Sequence, residues 1–456
     1  MPNDCKRLLS RFRQKHVAPH WLTDCHWRDA ASDCIVEASR AHGPVLERRI
    51  LSLAAPLSDT SLASLSVCGS VLSTVAAAGE GISRAALAEA TNLSRMTLAQ
   101  RLSALQAAGL VREEGSAVPS GGRPTRLLGL DPGAGVLLTA DMGETHMRLA
   151  VTDLAPAVLI QELVPFRIAD GPEAAMERLA MGFGRLLADL GGRRFVAAVG
   201  LSLPAPVDHR LGRVYGPSIL TGWDDFPLGD WLRVRYDAPV AAENDVNLLA
   251  IFEHRRLPER PDDFLFVKMG TGIGSGIVAN GRLQRGARGA SGDIGHMQFL
   301  EPGAPLCRCG KIGCFEARAA GWALARDLRA QGLEARDARD VIAHVEAGRP
   351  EALALVRAAG AAAGEALGHV VAVLNPERIV IGGTLARAGE VLLRPIRETV
   401  ARRCLPLAVR DLTITAALPV PEASLIGAAH CARELALSSA GADPFLARYR
   451  QWLEAA

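Results

Sequence analysis

Three cysteines stand within eight residues of one another in the stretch GDIGHMQFLEPGAPLCRCGKIGC, at Cys307, Cys309 and Cys314, and His296 lies eleven residues before the first. Few features restrict folding so tightly, because thiols this close in sequence must either converge or be held apart. Gly310 and Gly313 give the loop freedom to turn sharply enough for the sulfurs to meet. Three thiolates and one imidazole complete a tetrahedral zinc set with no position left for water. The expected site is therefore structural and does not activate a nucleophile. The N-terminus, MPNDCKRLLSRFRQKH, lacks a signal-peptide core, and no apolar run reaches the roughly 18 residues a membrane helix needs. The expectation is a cytoplasmic protein without membrane contact, whose nine cysteines stay reduced and favour metal over disulfides. Free cysteines packed in a core are the alternative.

At 456 residues the chain is too long for one ordinary core, and two or three domains are expected. The formal charge of +2 advertises no global basic field, so any contact with nucleic acid must be local. Lysine occurs only at positions 6, 15, 268 and 311 in an arginine-rich chain, which is read as base composition. Residues 1–60 carry Cys5, Cys25, Cys34 and four histidines without ligand spacing, and are expected to be an N-terminal extension of little order.

From Val67 the pattern sharpens. Val67, Val71, Leu72 and Val75 recur at helical spacing, and Gly79 and Gly81 close that helix. Ser83 can cap a short second helix, and Ser94 a third, SRMTLAQRLSALQAA, that stops at Gly109. On the third helix Leu98, Leu102 and Leu105 share the inner face, leaving Arg95, Thr97, Gln100 and Arg101 outside. Two strand-like runs then flank a Gly/Pro/Ser loop bearing Arg123. Three short helices and a β-wing over residues 61–130 make a winged helix-turn-helix. Its recognition helix offers Arg and Gln to base edges, and the extended GGRP loop suits a minor groove. Residues 81–130 hold six Arg and three Glu, so a protein-interaction module is the competing reading.

After Asp131 strands alternate with helices, as in an α/β fold of two lobes around a cleft. Three stretches there carry chemistry. MGTGIGSG, residues 269–276, follows the strand FLFVK and can turn backbone N–H groups towards an anion, although a glycine-rich hairpin would look the same. In AENDVNLLAIFEH, Asp245 follows a strand and opens a helix; it is either an ordinary helix-start residue or a base for a sugar hydroxyl. In DMGETHMRLAVTD, two strands flank a tight turn that contains Glu144.

Together these motifs resemble the ROK family of repressors, open reading frames and sugar kinases. The resemblance runs from about Val67 to His430 and includes DMGET, LPAPVD, ENDVN, GTGIGSG, SGDIGH, CRCGKIGC, NPERIVIGG and ASLIGAA. It implies an actin-like (ribonuclease H-like) two-lobed domain over residues 131–436, with a sugar in the cleft and, in kinase members, ATP with Mg beside it. By position, Asn244, Asp245, Asp293, His296 and Glu316 would meet the sugar, with Asp245 the base in a kinase. Asp141, Gly143, Thr145, Gly270, Thr271, Gly272 and Gly274 would form the phosphate loops. His296, Cys307, Cys309 and Cys314 would hold the zinc.

Three departures matter. Glu144 replaces the second glycine of Asp-x-Gly-Gly-Thr, and like charges about 4 Å apart repel by roughly 4 kcal/mol at an effective dielectric of 20. Asp293 stands where a sugar-contacting Glu is usual, and Ala205 where a glycine is frequent. The expectation is a sugar-responsive repressor that has lost phosphotransfer, acting as a homodimer or homotetramer on a palindromic operator. An ATP-dependent sugar kinase with an accessory N-terminal domain is the alternative. Residues 437–456, with DPFLARYRQWLEAA, are expected to form an amphipathic helix on the cleft domain or a partner subunit.

Overall fold

The structure, a computed structural model, describes residues 64–116, 126–143, 145–209, 211–214, 222–224 and 226–455. The N-terminal extension, Arg123 and Glu144 lie outside the described residues, and with them the expectations placed on them.

A 3₁₀ turn, Leu65–Val67, leads into the head: α1 (Gly69–Ala77), β1 (Ile82–Ser83), α2 (Arg84–Thr91), α3 (Arg95–Ala107), β2 (Val111–Ser116) and β3 (Arg126–Leu130). Gly79 and Gly81 end α1 with φ of +63° and +94°. Ser83 and Ser94 cap as expected: the Ser83 hydroxyl accepts from the Ala86 amide at 3.2 Å and the Ser94 hydroxyl from the Thr97 amide at 3.1 Å. The three strands pair antiparallel in the order β1-β3-β2, completing a winged helix-turn-helix.

The first lobe follows with β4 (Val136–Met142), β5 (His146–Asp153), β6 (Val158–Pro165), α4 (Pro172–Asp189), β7 (Val196–Leu203), the short hairpin β8 (Val207–Asp208) and β9 (Arg213–Val214), α5 (Leu228–Tyr236) and β10 (Val240–Asn244). Its sheet runs β10-β7-β4-β5-β6, parallel through β10, β7 and β4 and antiparallel beyond. Helix α6 (Asp245–Arg256) passes to the second lobe, made of β11 (Phe264–Met269), β12 (Ile273–Ala279), β13 (Arg282–Leu283), α7 (Phe315–Ala319), α8 (Gly321–Ala330), α9 (Ala338–Glu346), α10 (Pro350–Leu374), β14 (Arg378–Gly382), α11 (Glu390–Arg403), α12 (Pro406–Val409) and β15 (Thr413–Ala416). Its sheet has the order β13-β12-β11-β14-β15. Helix α13 (Ala423–Leu437) returns to the first lobe, where the Ala428 carbonyl lies so close to Gly200 of β7 that a Cβ there would come within 2.5 Å. Among the described residues no helix is long and apolar enough to cross a membrane.

The last helix, α14 (Ala442–Glu454), departs from expectation in its partner. It packs on the head as well as on the first lobe. Phe445, Leu446 and Tyr449 belong to one buried cluster with Leu65, Val71 and Leu72 of the head and Leu137, Phe195 and Ala198 of the lobe. The Phe195 ring meets Phe445 and Tyr449 edge-on at 5.2 and 5.0 Å, and the Tyr449 hydroxyl donates to the Ala108 carbonyl at the end of α3 at 3.0 Å. Head, α14 and first lobe therefore share one core.

Candidate functional site

The thiol–imidazole cluster forms where the loop before α7 doubles back. Cys307 N–H donates to the Lys311 carbonyl at 2.8 Å, and Gly310 and Gly313 sit at φ +84° and +79°. A Cβ on Gly313 would come within 2.6 Å of the Phe299 carbonyl, so that glycine is required twice over. The donor atoms of His296, Cys307, Cys309 and Cys314 all lie within 4.8 Å of one another. Cys309 and Cys314 sulfurs are 3.6 Å apart, and Cys307 sulfur lies 3.8 Å from His296 Nδ1. A tetrahedral ion with Zn–S bonds of about 2.3 Å sets its ligand atoms roughly 3.8 Å apart, whereas a disulfide would need about 2.05 Å. The set fits a metal. Nδ1 faces the thiols, which leaves Nε2 on the other side of the ring.

Glu316, two residues past Cys314, ties this cluster to the glycine-rich turn between β11 and β12. One carboxylate oxygen accepts the Ile273 amide at 3.0 Å and the other the Trp322 indole N–H at 3.3 Å. Trp322 in turn carries the guanidinium groups of Arg308, from between the cysteines, and Arg326 at 4.7 and 5.3 Å from its ring centre. The turn itself is held from within: Gly270 N–H donates to the Gly272 carbonyl at 3.0 Å, and its own carbonyl accepts from Gly321 at 2.8 Å. Gly272 and Gly274 allow Glu316 and Val246 to approach, at 2.8 and 3.2 Å from where a Cβ would stand.

The strand ends of the first lobe supply the opposite wall. Asn244 and Asp141 close β10 and β4, on either side of β7, at the carboxyl end where ligands of such sheets bind. Ser202 donates to Asp141 at 2.6 Å. Asn244 caps α6, accepting the Val246 amide at 3.0 Å, and its amide nitrogen donates to the Ala205 carbonyl at 3.1 Å. Asp245, first in α6, is ion-paired with Lys268 at the end of β11. Beneath them, buried Glu243 is ion-paired with Arg285 and accepts from Asn247 at 2.9 Å and from the Asn244 amide at 3.0 Å. Asp293 is exposed at the start of a 3₁₀ turn that ends at His296, and Gly292 beside it hydrogen-bonds to Ser275 of β12 at 2.8 Å.

Asp245 thus meets Lys268 of β11 and Glu316 the Ile273 amide of β12, while Gly292 and Gly295, beside Asp293 and His296, lie against Ser275 and Ile273 of β12. Gly143 and Thr145 lie on the β4–β5 turn, where Gly143 N–H donates to the His146 carbonyl at 2.9 Å and the Thr145 hydroxyl lies 3.2 Å from His146 Nδ1. Lys268, Glu243 and Arg285 escaped the sequence reading. A lone lysine ending a buried strand in an arginine-rich chain was the available signal for the first.

On the head, Arg95 and Gln100 are exposed, and two other expected contacts, Thr97 and Arg101, are half-buried with partners within the head. Thr97 is engaged by the cap, its hydroxyl 2.9 Å from that of Ser94. Arg101 is half-buried: its guanidinium donates to Ser70 of α1 at 3.3 Å, and its Nε is buried. Arg84 and Arg126 both pair with Glu113, and Arg112 with Glu114. The Arg126 guanidinium, helped by Arg84, holds Glu113 below the usual carboxylate range. Where α13 passes the head, Arg433 donates to the Ala76 carbonyl at 2.8 Å. Burial, reinforced by Arg255, Arg433 and Arg260, drives neighbouring His430 down to about 3.

Residues 137–435 match the model of the ROK family, and residues 71–112 that of a winged helix-turn-helix DNA-binding domain. A glucokinase of Halalkalibacterium halodurans is 30% identical over 282 residues, covering 58% of this chain and 85% of its own length. A xylose repressor of Bacillus spizizenii is 26% identical over 327 residues, covering 71% and 84%. The crystal structure of a ROK family transcriptional regulator, a homologue of the E. coli MLC protein, superimposes with a TM-score of 0.70 at 23% identity, over 86% of this chain and all of that one.

Proposed function

Because the chain belongs to the ROK family, we propose that it is a sugar-responsive DNA-binding regulator, a repressor, whose kinase-like domain binds its effector without phosphorylating it. The observation that carries this reading is the winged helix-turn-helix built into one core with the sugar-kinase-like first lobe. The similarity to a xylose repressor supports both the repression and a sugar as effector. Asn244, Asp245, Asp293, His296 and Glu316 bind its hydroxyls: carboxylates accept, the amide donates, and His296 Nε2 reaches out from the cluster. Zinc held by His296, Cys307, Cys309 and Cys314 fixes that imidazole and, through the loop, Glu316; it has no open position and acts structurally.

Loss of phosphotransfer is supported by three observations. Lys268 already occupies the carboxylate a kinase would use as base. The Gly270 and Ile273 amides are spent inside the protein and are not turned to a phosphate. Glu144 brings a carboxylate into the phosphate turn. Two heads read the halves of a palindromic operator in a homodimer or homotetramer, and the effector shifts the arrangement by binding one state better, by about 1–3 kcal/mol.

Selection of genomic fragments by the zinc-replete protein tests this reading. A palindromic site released by one sugar is expected. Failure to enrich any site would overturn the regulator. Sugar-dependent ADP formation, abolished in Asp245→Asn, would instead establish the kinase suggested by the glucokinase relative, with ATP and Mg as co-substrates and Asp245 as base.

A further inference from the structure

We infer that Met96 reads a thymine 5-methyl group in the operator half-site and is a specificity-determining residue of the head; this rests on the DNA-binding reading above. Helix α3 buries Leu98, Leu102 and Leu105. Its opposite face, set by the spacing i, i+3, i+4, i+7, carries Met96, Ala99, Gln100 and Ser103, all exposed. Met96, Ala99, Gln100 and Ser103 are uncharged, Arg101 donates to Ser70 and Thr97 is engaged by the cap, and on α3 Arg95 is the exposed cation beside this face. Met96 is 75% exposed at the second position of the helix, the end that enters the major groove in such heads. It adds nothing to the core.

A long, flexible apolar side chain at the groove-entering end of the helix has one kind of apolar group to meet in the major groove, the methyl group of thymine. Ala99, one turn on, extends the same apolar strip. Gln100 beside it has the donor and acceptor that match adenine N7 and N6. The strip and the amide together describe recognition of A·T pairs, not the bidentate guanine contact that arginine at these positions would give.

The test uses the full zinc-replete chain and duplexes carrying its selected half-site, in which each thymine is replaced in turn by deoxyuridine. Affinities are measured by fluorescence anisotropy at fixed salt. At one thymine, loss of the methyl group is expected to weaken wild-type binding about fourfold, the worth of one buried methyl. In Met96→Ala that sensitivity disappears, while binding to random-sequence DNA and its salt dependence stay as in wild type, which shows the head intact. If no thymine is methyl-sensitive, or if Met96→Ala keeps the same sensitivity, the inference is overturned. A protein that selects no DNA at all overturns the regulator reading itself, and the two failures are told apart by the first selection.

Discussion

Replacing Phe445 by alanine separates the shared core from a set of merely adjacent domains. Phe445 is 1% exposed, its ring set between Phe195 of the first lobe and Tyr449, in the cluster that also holds Leu65, Val71 and Leu72 of the head. Truncating a buried Phe costs about 3–5 kcal/mol, against a global stability of roughly 5–15 kcal/mol for a domain. The cost falls unevenly. The second lobe has its own core around Leu265, Val267, Leu324, Val356 and Ile381 and does not touch the cavity. Amides of α1 and α3 are therefore expected to exchange about two to four orders of magnitude faster, while those of α10 and β11 keep their protection. Hydrogen exchange read by mass spectrometry resolves these segments. Unchanged exchange in α1 and α3, or an equal loss throughout the second lobe, would refute the reasoning.

Two further outcomes are expected. Cys309→Ser, at the exposed corner of the cluster, should lower zinc content below one per chain and weaken sugar binding with little effect on packing; full zinc content would rule out the four-ligand assignment. His430 is held neutral by burial, with a folded value of about 3 against 6.5 in the unfolded chain. Below pH 6.5 the unfolded state takes a proton that the folded state refuses, so stability should fall as pH drops, by about 2 kcal/mol at pH 5. His430→Gln should remove that slope in denaturation measured between pH 7 and 5, and an unaltered slope would assign it to other groups.

Elements whose cause is local were legible in the chain. The Ser83 and Ser94 caps, the glycine stops after α1 and the convergence of Cys307, Cys309 and Cys314 all follow from neighbours a few residues away. Strands such as Phe264–Met269 announced themselves by composition and their bounding glycines. What stayed hidden depends on partners far along the chain. Arg101 lies on the half-buried edge of α3, and its choice between solvent and Ser70, 31 residues away, is not written in helical periodicity. Lys268 meets Asp245 only because β11 and the start of α6 come together in the cleft. The amphipathic pattern of the last helix was plain, but amphipathicity says that a face is covered and not by what.

The sharing of α14 between head and lobe also sets an order of events during synthesis. The head leaves the ribosome long before Phe445, Leu446 and Tyr449, which finish its core. Until they arrive, Leu65, Val71 and Leu72 lack a wall, and the Ala108 carbonyl that ends α3 lacks its donor. Domains generally fold as they emerge; this one must wait. A nascent chain still short of α14 accordingly carries a third head helix whose end and inner face are unfinished, so that helix is completed only once α14 has been made.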